Sequence, residues 1–307
     1  MMSTEQLLEG IARLRRERGA VILAHTYQSG DIQDLADFVG DSYGLSVKAS
    51  QLDEAKVIVF CGVRFMAETA ASLNPGKTVV MPDETAGCPM ADMITGEQLR
   101  EFKRRHPGAP VVCYVNSTAE VKAESDICCT SSNAVKVVRS LGDVPEILFV
   151  PDQHLGHFVE RQLGRRLICW EGCCPIHAAL TAEQVRAMRV AHPGYRVMTH
   201  PETPSATQAE ADDVLATGGM IELAKASDHR QWLVGTEEGI LHALRKAAPD
   251  KEFIHLWPRL VCPDMKQTTL ANLYTALETL EPRITVPEDI AVRARRSIQA
   301  MLDCCAK

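Results

Sequence analysis

The sequence predicts an α/β protein made of three parallel-sheet αβα units, Rossmann-like in their alternation and related by a pseudo-threefold axis around a shared centre. Three observations carry this. Cys-Pro dipeptides recur at Cys88-Pro89, Cys174-Pro175 and Cys262-Pro263, at intervals of 86 and 88 residues. Short apolar runs precede each dipeptide at matched distances. Helix-like stretches separate those runs, giving β-α-β-α-β in each copy, the pattern of a parallel sheet covered on both faces.

The chain opens on a charged stretch, Met1 to Gly19, which reads as an amphipathic helix without the apolar core of an export signal. Its run Arg13-Leu14-Arg15-Arg16-Glu17-Arg18 reads as a solvated helix face rather than a binding patch. Apolar runs ending at His25, Tyr114 and His200 read as the first buried strand of each unit. Twelve residues after each end stands an aspartate (Asp37, Asp126, Asp212), and seventeen after it a hydroxyl (Ser42, Ser131, Thr217). The hydroxyls suit the N-caps of helices over 42–50, 131–140 and 217–225. A second apolar strand follows at 57–60, 147–150 and 232–234, and a third at 78–81, 167–170 and 253–257. Helices over 65–72, 155–162 and 238–246 fill the gaps between them.

Thr95, Thr181 and Thr269, each seven residues beyond a repeat cysteine, begin a further helix. The last of these, over 268–280, has no fourth unit to lead into, so the C-terminal segment is expected to pack back on the first unit and close the ring. The expected units are 1–90 completed by 268–307, then 91–176, then 177–265.

Composition narrows the function classes. A net charge of −7 argues against a nucleic-acid partner or an anionic membrane surface. No stretch approaches the roughly 18 apolar residues of a membrane span, and a cytoplasmic location is expected. Eleven cysteines, an odd total without an export signal, point to metal ligation or buried thiols rather than disulfides. Cys61, Cys113 and Cys169 lie in or at the ends of apolar strands and read as core.

Ligands of parallel α/β sheets bind beyond the carboxyl ends of the strands, where His25, Tyr114, His200 and the three Cys-Pro sites fall. Three cysteines far apart in sequence are unlike structural zinc, which prefers paired ligands. Soft thiolates suit an iron–sulfur cluster, and three of them leave one iron of a four-iron cluster open as a Lewis acid. The repeat selects Cys174 over Cys173 as the middle ligand, since Cys174 precedes proline and keeps the threonine register. Cys128-Cys129 and Cys304-Cys305 fall outside that register. Ser42, Ser131 and Thr217 either cap their helices or hold anionic substrate groups at helix N-termini. His177 lies three residues past Cys174, and Glu202 stands two past His200, able to take protons from a bound substrate. Tyr27 and Asn116 occupy the position matching Glu202, so a symmetric scaffold would carry an asymmetric site.

At these residues the chain resembles the quinolinate synthase (NadA) family over nearly its whole length. The resemblance runs through Ala24-His-Thr-Tyr-Gln, Gly40-Asp-Ser, Phe60-Cys-Gly-Val-Arg-Phe-Met-Ala-Glu, Gly87-Cys-Pro-Met-Ala-Asp and Tyr114-Val-Asn-Ser. It continues through Thr130-Ser-Ser-Asn-Ala, Pro151-Asp-Gln-His-Leu-Gly, Trp170-Glu-Gly-Cys-Cys-Pro-Ile-His, His200-Pro-Glu, Val234-Gly-Thr-Glu-Glu-Gly-Ile and Cys262-Pro-Asp-Met-Lys. It implies three αβα domains around a central cluster site, a 4Fe-4S cluster on Cys88, Cys174 and Cys262 with one open iron. It implies condensation of iminoaspartate with dihydroxyacetone phosphate to quinolinate in NAD biosynthesis, releasing phosphate and two waters. It implies that Tyr27, His200 and Glu202 transfer protons, with His25, Ser42, Tyr114, Asn116, Ser131, His177, His200, Glu202 and Thr217 around the substrates. An L-aspartate-oxidising enzyme supplying iminoaspartate is the implied partner.

The chain departs from the family pattern at Thr203, where many members carry Cys, in the run Leu215-Ala216-Thr217-Gly218, and in the extra Cys173. The residues alone leave three other readings open: a four-iron hydro-lyase of the aconitase type, an electron-transfer or iron-sensing protein, and an α/β protein with structural zinc.

Overall fold

Three four-stranded sheets, parallel throughout, organise the computed structural model, which describes residues 2–52 and 54–306. Met1, Asp53 and Lys307, including both ends of the expected first unit, lie outside the described residues. The first sheet contains β1 (Ala20–His25), β2 (Phe38–Gly40), β3 (Val57–Cys61) and β4 (Thr78–Val80), in the order β2-β1-β3-β4. The second repeats that order with β5 (Val111–Tyr114), β6 (Ile127–Cys129), β7 (Leu148–Val150) and β8 (Ile168–Cys169). The third does so with β9 (Arg196–Thr199), β10 (Asp213–Val214), β11 (Gln231–Gly235) and β12 (Glu252–His255). Helices flank every sheet, so the expected fold class is the observed one: α/β with three αβα units.

Each sheet holds one strand more than the apolar pattern predicts. The additional edge strands β2, β6 and β10 are two or three residues long, too short to show a period. Each starts directly after the repeated aspartate. Asp37 Oδ2 accepts the Ile22 N–H at 2.8 Å, Asp126 Oδ2 the Val111 N–H at 2.8 Å and Asp212 Oδ2 the Val197 N–H at 2.7 Å. The backbone N–H of each aspartate returns a bond to the carbonyl of the same partner. The +12 aspartate is thus a clamp that fixes where the edge strand meets the first strand.

The helix starts divide into two groups. Thr95, Thr181 and Thr269 all form reciprocal capping boxes, with Gln98, Gln184 and Asn272. The expected caps Ser42, Ser131 and Thr217 are not caps. Asp41 caps the helix Ser42–Ser50, Asn133 precedes Ala134–Ser140, and Ala216 precedes Thr217–Ala226. A carboxylate one residue earlier accepts the free N–H of Gly44 at 2.8 Å, which leaves the Ser42 hydroxyl at the first helical position.

The first and third sheets share a continuous apolar cluster in which Leu23, Ile58 and Phe60 pack with Met198, Trp232 and Val234. The second sheet has its own cluster, completed by Ile298 and Met301 of the helix Glu288–Ala306. Of the two C-terminal helices, Leu270–Thr279 lies on the first unit, against the helix Thr4–Arg18 and β3. Glu288–Ala306 departs from the expected position, packing chiefly on the helix Ala119–Ala123 and β6 of the second sheet, and on the helix Arg64–Leu73. Its buried residues Ala291, Ala294, Ser297, Ile298 and Met301 form one stripe, small enough at its start for close approach. Among the described residues, no helix is long and apolar enough to cross a membrane.

Candidate active site

The first strands of the three sheets deliver His25, Tyr114 and, one residue past β9, His200 to the rim of a single cavity of about 170 Å³. Cys88, Cys174 and Cys262 line the same cavity, one from each repeat. So do Tyr27, Asn116 and Glu202 at the matched +2 positions, and Ser42, Ser131 and Thr217 at +17. His177 completes the sequence-predicted set, all of which faces this one space.

Two imidazoles are held by the same local turn. Tyr27 N–H donates to His25 Nδ1 at 3.1 Å, and Glu202 N–H donates to His200 Nδ1 at 3.3 Å. Each ring therefore carries its proton on Nε2, and that of His200 faces Ser131 Oγ at 3.2 Å. Burial pushes both imidazoles down to about 3, with Glu202 partly opposing, so both rings are neutral donors near neutral pH.

Glu202 is buried with both oxygens engaged. Oε1 accepts from the Tyr114 hydroxyl at 2.5 Å, and Oε2 lies 2.6 Å from His177 Nδ1. Burial alone would raise this carboxyl. The facing His177 and His200, with the hydrogen bonds from His177 and Tyr114, outweigh burial and hold it below the usual carboxylate range. The His177 and His200 rings stack at 4.8 Å. On its other edge, His177 Nε2 lies 2.8 Å from Thr236 Oγ1, which lies 2.5 Å from the Tyr27 hydroxyl. A path of polar hydrogens thus runs from Tyr27 through Thr236 and His177 to Glu202 and Tyr114. Burial, then the Glu202 charge, raises both phenols well above their ordinary value.

The cysteines suit a polynuclear group better than a single ion. Among the described residues, the one group of three donors mutually within 4.8 Å is Cys174, His177 and Glu202. Cys88, Cys174 and Cys262 are therefore not all within that distance of one another. Thiolates sharing one zinc sit about 3.8 Å apart, so these three do not converge on one ion. Thiolates on separate irons of a cluster require the wider spacing. Burial pushes Cys88 up to about 12 and Cys262 up to about 11, and burial with help from Glu202 raises Cys174 well above its ordinary value. Such thiols ionise when a cationic group takes up their charge. Their loops are fixed by carboxylates: Cys174 N–H donates to Asp152 at 3.3 Å, Cys262 N–H to Glu237 at 3.0 Å, and Gly87 N–H to Asp264 at 3.1 Å.

Cys173 does not line the cavity; its N–H points to Met93 Sδ at 3.3 Å. Cys128 and Cys129 are buried inside β6, and Cys304 and Cys305 lie in the C-terminal helix. Sequence reasoning missed Thr236, Glu237 and Asp41. The first two directly follow the buried strand β11, at its carboxyl end, a position that could have marked them. Asn116 lines the cavity, and its Oδ1 is a buried acceptor without a partner among the described residues, which suits a ligand N–H or O–H.

The family model described as quinolinate synthetase A protein matches residues 9–303. A protein named quinolinate synthase from Dehalococcoides mccartyi is 54% identical over 98% of this chain and 99% of its own length. Proteins of the same name from Geobacter metallireducens and Methanoregula boonei are 50% and 49% identical, each over 98% of this chain and nearly all of their own.

Proposed function

The chain belongs to the quinolinate synthetase A family, and from that premise we propose that it condenses iminoaspartate with dihydroxyacetone phosphate to quinolinate. One C–C and one C–N bond form while phosphate and two waters leave. The product feeds NAD biosynthesis, and an L-aspartate-oxidising enzyme in the same cytoplasm supplies the imine. The single observation that carries the reading is the meeting of three thiols and a continuous proton path in one cavity.

Cys88, Cys174 and Cys262 would hold a 4Fe-4S cluster, whose iron without a protein thiolate supplies Lewis acidity toward a substrate hydroxyl or carboxylate. The remaining work falls to side chains. Ser42, Ser131 and Thr217, at or just ahead of three helix starts, take the phosphate and carboxylates through their hydroxyls. Asn116 Oδ1 accepts a hydrogen from the substrate nitrogen or a hydroxyl. His25 and His200, neutral, donate Nε2–H to substrate oxygens without adding charge.

Each elimination needs a proton taken from carbon and one given to the departing oxygen. Glu202, held ionised, is the acceptor, and Tyr114 and His177 steady it. Tyr27, kept protonated by burial, is the donor, recharged from His177 through the Thr236 hydroxyl. The test is anaerobic incubation of the purified protein with dihydroxyacetone phosphate and iminoaspartate formed from oxaloacetate and ammonia. Quinolinate detected by mass supports the reading; a simple dehydrated acid, or no product from iron-loaded protein, overturns it.

A further inference from the structure

Lys266 lies four residues past Cys262, in the short helical turn Asp264–Lys266, and its ammonium reaches two units at once. Nζ donates to the Tyr27 carbonyl at 2.6 Å and to Glu237 Oε2 at 3.1 Å, and lies in ion-pair contact 2.9 Å from Glu237 Oε1. Glu237, almost wholly buried, accepts the Cys262 N–H on Oε1 at 3.0 Å and the Gly239 N–H on Oε2 at 2.7 Å. At Gly239 the two backbones press together: a Cβ there would stand 2.6 Å from the carbonyl carbon and oxygen of Tyr27, so only glycine fits. An unbroken path therefore joins the Cys262 amide, the Glu237 carboxylate, the Lys266 ammonium and the Tyr27 carbonyl. Thr236, next to Glu237, holds the hydroxyl end of the same tyrosine.

We propose that Lys266, acting through Glu237, is a positioning residue that sets the distance between the third thiol and the Tyr27 phenol. This deepens the function proposed above and rests on it. Lys266 does not line the cavity, so it works only through the groups it holds. A lysine suits the place because its compact ammonium has three donors, and three acceptors surround it here: the Tyr27 carbonyl and both Glu237 oxygens. Losing the charge frees two loops at once, since Glu237 then stays buried and uncompensated beside the Cys262 amide.

The experiment compares the anaerobically purified wild type with Lys266→Met and, as a control at the same unit boundary, Lys246→Met, whose exposed ion pair with Asp34 holds neither loop. In Lys266→Met, amide exchange in segments 24–28 and 259–265 rises together, by about tenfold or more. Iron content at purification stays near wild type, but iron passes to a chelator about tenfold faster. The kcat falls about 100-fold, as expected for a displacement near 1 Å, while KM changes by less than about threefold. Lys246→Met shows none of this. Wild-type exchange in both segments, a rise in only one, or an equal and global rise in both variants overturns the proposal. Should Lys266→Met fail to fold, Lys266→Gln, which keeps one donor and loses the charge, is read the same way. If the wild type makes no quinolinate, the functional reading fails, whereas the exchange data still decide the clamp.

Discussion

The Tyr27 hydroxyl stands 2.5 Å from Thr236 Oγ1, although 209 residues separate the two in sequence. The first unit supplies the phenol, the third the hydroxyl and the imidazole beyond it, and the second supplies Tyr114 at the far end of the path. The proton path therefore exists only where three copies of one fold meet, and it depends on Thr236, which does not line the cavity.

Thr236→Val removes the middle of that path while keeping its volume. It should lower kcat by about 10²–10⁴-fold and cost about 1–3 kcal/mol of stability, because two buried polar groups lose their partner. Thr236→Ser should restore both. Steady-state kinetics and denaturant unfolding of the two variants check this, and equal losses in Ser and Val would remove the relay from the account.

His25 titrates at an ordinary 6.5 when unfolded and at about 3 when folded, because burial disfavours its charged form. Between those values the unfolded chain binds more protons, so the stability is complete above pH 6.5 and is lost progressively as pH falls toward 3. The loss is at most about 1.4 kcal/mol per pH unit for one imidazole. His25→Asn should unfold with a shallower acid slope than wild type, measured by denaturant melts from about pH 7.5 to 5.

Asp126 should matter for stability and not for chemistry. Replacing it by alanine leaves the Val111 N–H without its acceptor and frees the short β6 edge. A loss of about 1–3 kcal/mol is expected. Iron content and kcat per folded molecule should stay within about twofold of wild type. Asp37→Ala and Asp212→Ala should behave alike, since the three bonds are equivalent.

The same aspartates show what could be read before any coordinates. Their exact spacing signalled repetition, but spacing carries no direction, so nothing told that each would turn back onto its own first strand. Long apolar runs such as Ala20–His25 declared themselves because burial on both faces leaves no polar position. Two-residue β10 could not, since its pairing comes from a neighbour and not from its own composition. At the site, the repeat led to the thiols, the imidazoles and the +2 groups, all of which face the cavity. It could not separate Ser42 the cap from Ser42 the wall of a cavity; the answer lay in Asp41, one residue earlier. Thr236, Glu237 and Lys266 escaped because their importance arises from contacts between units. The helix Glu288–Ala306 was misplaced for a related reason: its small-residue stripe matches a surface that forms only when the first and second units are side by side.

The central claim is that three thiols, one per repeat, hold the group that makes quinolinate synthesis possible. It is tested most directly by anaerobic purification of wild type and Cys262→Ser, with iron and sulfide analysis and a quinolinate assay on both. The account predicts about four irons and four sulfides per wild-type chain, together with quinolinate formation. It predicts loss of both in the variant, while Cys173→Ser keeps both. A colourless, zinc-loaded wild type, or an intact and active cluster in Cys262→Ser, would contradict it.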